Sequence, residues 1–357
     1  MNQQKNKILI IGGYGNVGKV ISNNLSTRFP NKVIIAGRNK NKALQLINDL
    51  KIRAQAIEVD LNSNNFDDID FKIIHTVISC IEFLENDNLL LSCIKNNVNY
   101  TELGTSYEAY NRLIDYEKEV KNSGICLIPG VGLMPGLSGI FVHDAISKGY
   151  KIKLVQSYIL LGLGENHGLD AIRWMMKYAN KTFTLKTENG IEKVKSFTSP
   201  MNELLLSENS TRKFYRFNFG DQHIISATTD VISAQTRLAF DSKFVTWLIV
   251  FFKQIGLLNM VHKMNPEKIK KWLTKFHFGS EKFGVQTHIY TENNKEYIYL
   301  IEGNNEAKAT GLIAAYAVIQ LYKTTNIGIK RLEQMVNFKD LMNFLEQYQI
   351  NFKNKRI

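Results

Sequence analysis

The chain has 357 residues, 44% hydrophobic and 22% charged, with a formal charge of +12. That length suits two domains, because single cores stop growing near ~250–300 residues, and the composition excludes a disordered chain. The positive balance fits either lysine spread evenly over the surface or an acidic ligand such as a phosphate-bearing cofactor, and the lack of a basic stripe with aromatics argues against a nucleic-acid partner.

Residues 7–12 (KILIIG) read as a short, buried parallel strand. GYGNVG and a helical pattern to about Arg28 follow. Strands are expected at 33–37, 54–59, 73–79, 98–103 and 125–129, and helices at about 40–50, 86–97 and 107–122. Short apolar strands alternating with helices predict an α/β fold, a doubly wound parallel sheet of Rossmann type over residues 1–150. After Tyr150 the rhythm changes. Strands are expected at 154–160, 213–219, 223–229, 286–292 and 296–302, the last two around a turn at Asn293–Asn294, with helices at about 168–180 and 241–275. This predicts an α+β substrate domain with a mixed sheet over 151–304, whose sheet offers a homodimer surface. The remaining C-terminal helices, 305–357, begin with an apolar segment and are expected to pack back on the first domain.

The chain start, MNQQKNK, lacks the apolar core of a signal peptide. The most apolar stretch, Trp247–Phe252, is too short to span a bilayer, which needs ~20 residues. Together with its neighbours to 278 it reads as a core helix with a solvated face, or as a cover for a greasy substrate or a peripheral membrane contact. The three cysteines, Cys80, Cys93 and Cys126, show no CxxC pair and no zinc spacing. Buried thiols, no metal and a cytoplasmic location are therefore expected.

Chemistry concentrates first in Gly13-Tyr14-Gly15-Asn16-Val17-Gly18, a GxGxxG placed between a strand and a helix. In that setting Gly13 serves the tight turn, Gly15 lets the backbone approach a pyrophosphate, and Gly18 allows close helix–strand packing. The phosphates would sit on the helix N-terminus. An NAD-binding domain places a carboxylate about 20 residues further on. No Asp or Glu lies between Lys19 and Asn48, and Arg38-Asn39 stands at the expected place. Arg38 can grip a 2′-phosphate, which points to NADP(H). Asp60-Leu61, after the third strand, suits the adenine edge. Ser79, Cys80 and Ile81, after the fourth, should line the path to the nicotinamide.

These stretches resemble the saccharopine dehydrogenase-like oxidoreductases. The likeness is carried by GGYGNVG, by AGR at the second strand, by VDL at 59–61, by YTELGTSYEAY at 100–110, by IPGVGLMPGLSGIF at 128–141 and by the late helix KATGLIAAYAVIQL with its tail to 347. The resemblance implies an NADP-binding Rossmann domain interrupted by a substrate domain. It also implies that Gly104 and the Met134-Pro135-Gly136 turn lie near the nicotinamide, and that a small-molecule substrate is handled by hydride transfer. Some members act on C=N or CH–NH bonds of amino-acid-type substrates; others reduce C=C bonds of apolar or carrier-bound ones. Where polyamine-type members often carry Asp before the proline, this chain has Met134.

Reduction needs a proton donor beside the nicotinamide. Glu102, Tyr107, His143 and Asp144 are candidates by their place near strand ends, although each also suits a cap or a packed position. Arg173 could hold a substrate carboxylate, with Glu165 and His167 near it around a glycine-rich turn. A protein that senses NADP(H) without turning it over would need only the first set of residues.

Overall fold

A computed structural model describes residues 5–63, 66, 68–81, 86–164, 168–206, 209–258, 264–269, 271 and 279–356. The chain forms two compact units. The first holds residues 1–137 and 310–337, the second residues 138–309 and 338–357.

In the first unit, strands β1 (Lys7–Ile11), β2 (Val33–Gly37), β3 (Ala54–Glu58), β4 (Ile74–Ser79), β5 (Asn99–Glu102) and β6 (Cys126–Ile128) alternate with helices. These are α1 (Asn16–Arg28), α2 (Lys40–Leu50), α3 (Asn88–Lys95), α4 (Tyr107–Ile114) and α5 (Glu117–Asn122). The helix expected over 107–122 is thus two. The strands pair in parallel in the order β6-β5-β4-β1-β2-β3, and Gly328–Ile329 extends the sheet beside β6. Strand order reverses between β1 and β4, and ligands of such sheets bind outside the carboxyl ends at that switch point. Ile8–Ile11 and Val33–Ala36 are almost wholly buried, as the continuous apolar runs of a helix-covered parallel sheet require. The helix Glu306–Lys323 also belongs mainly to this unit.

The second unit contains β7 (Ile152–Leu161), β8 (Thr182–Thr187), β9 (Gly190–Lys195), β10 (Met201–Leu205), β11 (Ser210–Arg216), β12 (Ser233–Phe240), β13 (Lys282–Thr291) and β14 (Glu296–Asn304). Its mixed sheet runs β10-β11-β12-β7-β13-β14 and ends on Asn351–Arg356; β8 and β9 form a separate hairpin. Helices α6 (Ser138–Ser147), α7 (Leu169–Tyr178), α8 (Gly220–Thr228) and α9 (Lys243–Gln254) complete it. The fold class expected from sequence is the one observed.

Several boundaries differ from those expected. The chain leaves the first unit after Leu137, not at Tyr150, because α6 buries Ile140, Phe141, Val142 and Ala145 within the second unit. The C-terminal region divides too. Residues 310–337 complete the first unit, but 338–357 join the second, where Asn351–Arg356 pairs antiparallel with β14. Residues 223–229, expected as a strand, lie mostly in helix α8. Their β-branched run mimics a strand, but the buried positions Asp221, Gln222 and Ile225 recur with helical spacing, which decides the outcome. The helix expected over 241–275 is realised as α9, and residues 259–263, 270 and 272–275 of that span lie outside the described residues.

Candidate functional site

The glycine motif forms the turn from β1 into α1. The left-handed residue of that turn is Gly12 (φ 74°), one place before the expected Gly13. Gly13 is required for space: a Cβ there would lie 2.9 Å from both Ile35 Cγ2 and Ser22 Oγ. The Ser22 hydroxyl donates to the Gly13 carbonyl at 2.8 Å. A Cβ on Gly18 would stand 2.2 Å from the Gly12 carbonyl oxygen, so α1 presses directly on the turn. Gly15 is exposed and extended (φ −71°, ψ 176°) and caps α1 without a side chain. No acidic residue lies in the first turn of α1, which covers Asn16, Val17 and Gly18. A helix start with no side-chain cap at Gly15 and no acidic residue in its first turn fits a dinucleotide pyrophosphate.

Tyr14 braces this turn to the second strand. Its ring lies over Gly37, where a Cβ would come within 2.7 Å, and its hydroxyl accepts from the Asn39 N–H at 3.1 Å. The Asn39 side chain in turn caps α2 by accepting from the Lys42 N–H at 3.1 Å. Arg38 therefore projects from a backbone fixed on both sides. It is exposed and makes no ion pair among the described residues. The sequence shows Tyr14 only as a variable position of the motif; the signal for its role is the glycine it faces at the end of β2.

The ends of β3 and β4 complete the rim. Asp60 is exposed and accepts from the Asn62 N–H at 3.0 Å, while Leu61 packs against the core below it. Ser79 is buried, and its Oγ has no hydrogen-bond partner among the described residues. The Cys80 N–H donates to the Ile11 carbonyl at 2.9 Å, which seats β4 beside the glycine turn. A Cβ on Gly12 would touch Cys80 Cβ at 3.5 Å and Ile81 Cγ1 at 3.4 Å. Burial pushes the Cys80 thiol up to about 12, so it is no nucleophile at neutral pH.

Beyond β5, Glu102 is buried and its two oxygens are engaged separately. Tyr100 donates to Oε2 at 2.7 Å and Arg112 donates to Oε1 at 2.5 Å. Arg112 also bridges to Asp87, and Tyr116 donates to the second Asp87 oxygen at 2.9 Å. Burial raises the Glu102 carboxyl, and Arg112 works against that rise. This network ties β5 and α4 to the residue before α3. Tyr107 opens α4 half-buried, behind the Ser106 cap, and stacks on Tyr110 at 6.3 Å. Gly104 is buried in the same loop.

After β6 the chain enters the Met134-Pro135-Gly136 turn. The Met134–Pro135 peptide is cis, and Gly136 takes φ 125°. A Cβ on Gly136 would lie 3.2 Å from Leu332 Cδ2, so the helix Leu332–Met335 backs the turn. Met134 and Pro135 are buried.

The remaining candidates lie in the second unit. His143 is exposed on α6. Asp144 accepts from the Tyr299 hydroxyl at 2.7 Å and pairs with Lys148 at 2.5 Å, which marks it as a structural anion. Arg173 is exposed on α7. Glu165 and His167 lie outside the described residues. Sequence reading missed Asp221 at the start of α8. It is buried, accepts from the Thr236 hydroxyl at 3.0 Å, and burial raises its carboxyl to about 7. Among the described residues no group of three His, Cys, Asp or Glu side chains could hold a metal ion.

Residues 8–128 match the family of the saccharopine dehydrogenase NADP-binding domain. No protein of curated function matches the chain in sequence. In fold the chain is similar to the apo saccharopine dehydrogenase (L-Glu forming) of Saccharomyces cerevisiae. That similarity has a TM-score of 0.67 at 14% identity, over 99% of this chain and 100% of that one. It is also similar to the homospermidine synthase of Legionella pneumophila in complex with NAD. There the TM-score is 0.69 at 10% identity, over 100% of this chain and 93% of that one.

Proposed function

We infer that this saccharopine dehydrogenase-like chain, with its NADP-binding domain over residues 8–128, is an oxidoreductase that uses NADP(H) in preference to NAD(H). The observation that carries the reading is the acid-free start of α1, which has no side-chain cap at Gly15, set against an exposed Arg38 at the end of β2 that makes no ion pair among the described residues. The cofactor would supply hydride. The backbone of Gly15–Gly18 would hold its pyrophosphate, and Arg38, seated by Tyr14 and Asn39, its 2′-phosphate.

The substrate proposed is of amino-acid type, reduced or oxidised at a C=N/CH–NH bond. The names of both fold relatives, a saccharopine dehydrogenase and a homospermidine synthase, support this choice. Tyr107, on the carboxyl rim of the sheet, is the proposed proton donor. Glu102, engaged at both oxygens, is proposed to position the rim instead. A second reading, C=C reduction of an apolar substrate, is favoured by the buried, uncharged Met134-Pro135 turn.

Titration calorimetry of Arg38→Ala tests the cofactor. NADPH affinity should fall by about 1–3 kcal/mol, as for a lost charged hydrogen bond, while NADH affinity holds. Equal losses for both would refute the preference. NADPH oxidation with mixtures of keto acids and amino acids, against unsaturated acyl compounds, separates the two reactions. Binding with no turnover on either panel would mark a sensor.

A further inference from the structure

Helix α9 is apolar nearly all round, KFVTWLIVFFKQ, yet only Val245 and Thr246 are buried. Thr246 fastens it to β12 by accepting from the Phe240 N–H at 3.0 Å. On the opposite side Phe244, Trp247, Phe251 and Ile255 follow at intervals of three, four and four residues, which sets them on one stripe. Phe244 and Trp247 are 58% and 56% exposed, and Phe251, Ile255 and Leu257 are exposed as well. The aromatic rings are already stacked, Phe244 on Trp247 at 6.0 Å and Trp247 on Phe251 at 5.4 Å. Such a contiguous apolar stripe marks an interaction surface.

Charge decides what it meets. Among the described residues from Lys243 to Lys271 stand four lysines, Lys243, Lys253, Lys268 and Lys271, and one acid, Glu267. Two copies of this chain meeting here would bring like charges together, on top of a net charge of +12 each. An anionic lipid surface attracts the lysines and accepts the aromatic stripe at its headgroup boundary. No helix among the described residues is long and apolar enough to cross a membrane, so α9 would lie on the surface. We propose that the exposed face of α9, with the exposed Lys243 and Lys268, is a docking surface for an anionic bilayer.

The test is flotation of the intact protein with vesicles of phosphatidylcholine plus phosphatidylserine, against phosphatidylcholine alone. The protein should float with the anionic vesicles and be released by salt. Trp247→Glu with Phe251→Glu should lower binding by about tenfold or more, and Lys268→Gln by roughly fivefold. Both variants should keep the parent circular dichroism and NADPH affinity, since they lie in the second unit. No flotation, or flotation indifferent to the aromatic substitutions, would overturn the proposal. So would a dimer in lipid-free solution that the same substitutions dissociate, which would assign the stripe to a second copy.

Discussion

Glu102 shows how far a residue's chemistry depends on its neighbours. Its position after β5 makes it a candidate proton donor in sequence, but the folded chain surrounds it with Tyr100 and Arg112. A buried carboxylate that loses its only cation costs about 3–5 kcal/mol. Arg112→Ala should therefore destabilise the protein by about that amount, read from denaturant midpoints. Glu102→Gln in the Arg112→Ala background should recover part of the loss, because the unpaired charge is then gone. Gly18→Ala should fail in a different way. Its Cβ meets a backbone oxygen at 2.2 Å, so the turn itself must shift, and NADPH binding should drop more than NADH discrimination changes. The close packing at Gly18 is legible in sequence because backbone space, not partner choice, dictates it, whereas the tight turn falls on Gly12 and not on the expected Gly13. The roles of Tyr14 and Asp221 are not legible there, since each acts on a residue brought close only by folding.

At the scale of elements, legibility follows periodicity. The first six strands and their helices alternate with short connections, so each signal is local, while the strand order is set only in the folded sheet. In the second unit β11 pairs with β10 along one half and with β12 along the other, and the polar residues Tyr158, Arg237 and Gln286 sit in adjacent positions on neighbouring central strands. Such strands carry no clean alternation, and β8, β9, β10 and β12 went unread. Helix α8 reads as a strand for the opposite reason, since its β-branched run mimics one. It also holds a buried carboxyl that titrates close to neutrality. Asp221 is buried against Thr236, with its carboxyl raised to about 7 from an ordinary 3.8. The folded state therefore binds its proton more tightly than the unfolded state does. Below about pH 4 the group is neutral in both states and costs nothing. As pH rises towards about 7 the folded state is penalised, by at most about 4 kcal/mol. Asp221→Asn should be more stable than the parent at pH 8, with the advantage vanishing near pH 4. Thermal unfolding across that range would show it, and parallel curves for the two proteins would exclude it.

At the scale of the whole molecule, the two units interleave along the chain: residues 138–309 interrupt the first, and residues 338–357 return to the second. The sequence announces this through the apolar helix that returns after residue 305, although not through the final strand, whose partner β14 is visible only in the folded sheet. The first unit is consequently discontinuous, and residues 1–137 alone lack part of their core. The helix Glu306–Lys323 buries Leu312, Ile313, Val318, Ile319 and Leu321 to within 2% of full burial. A Cβ on its Gly311 would stand 2.7 Å from Val20 Cβ, so it packs directly on α1 behind the cofactor turn. Tyr322 adds a ring contact to Phe29 at 4.8 Å and accepts from Lys32 at 2.8 Å. Fully burying a side chain of this size is worth about 1.5–3 kcal/mol, so these five contribute on the order of 10 kcal/mol. That equals the whole net stability of a typical domain, about 5–15 kcal/mol. Residues 1–137 should therefore show no cooperative unfolding and no NADPH binding. Within the first unit, however, Thr310 lies beside Gly132, with a Cβ there 3.2 Å from Thr310 Cγ2. A short Gly/Ser linker can join Leu137 to Thr310, because closing a loop costs little extra as it lengthens. The linked chain, ending at Asn337, should unfold cooperatively and bind NADPH with the Arg38 preference intact. If it folds but does not bind, the cofactor site draws on residues 138–309, and the binding determinants assigned to the first unit are incomplete.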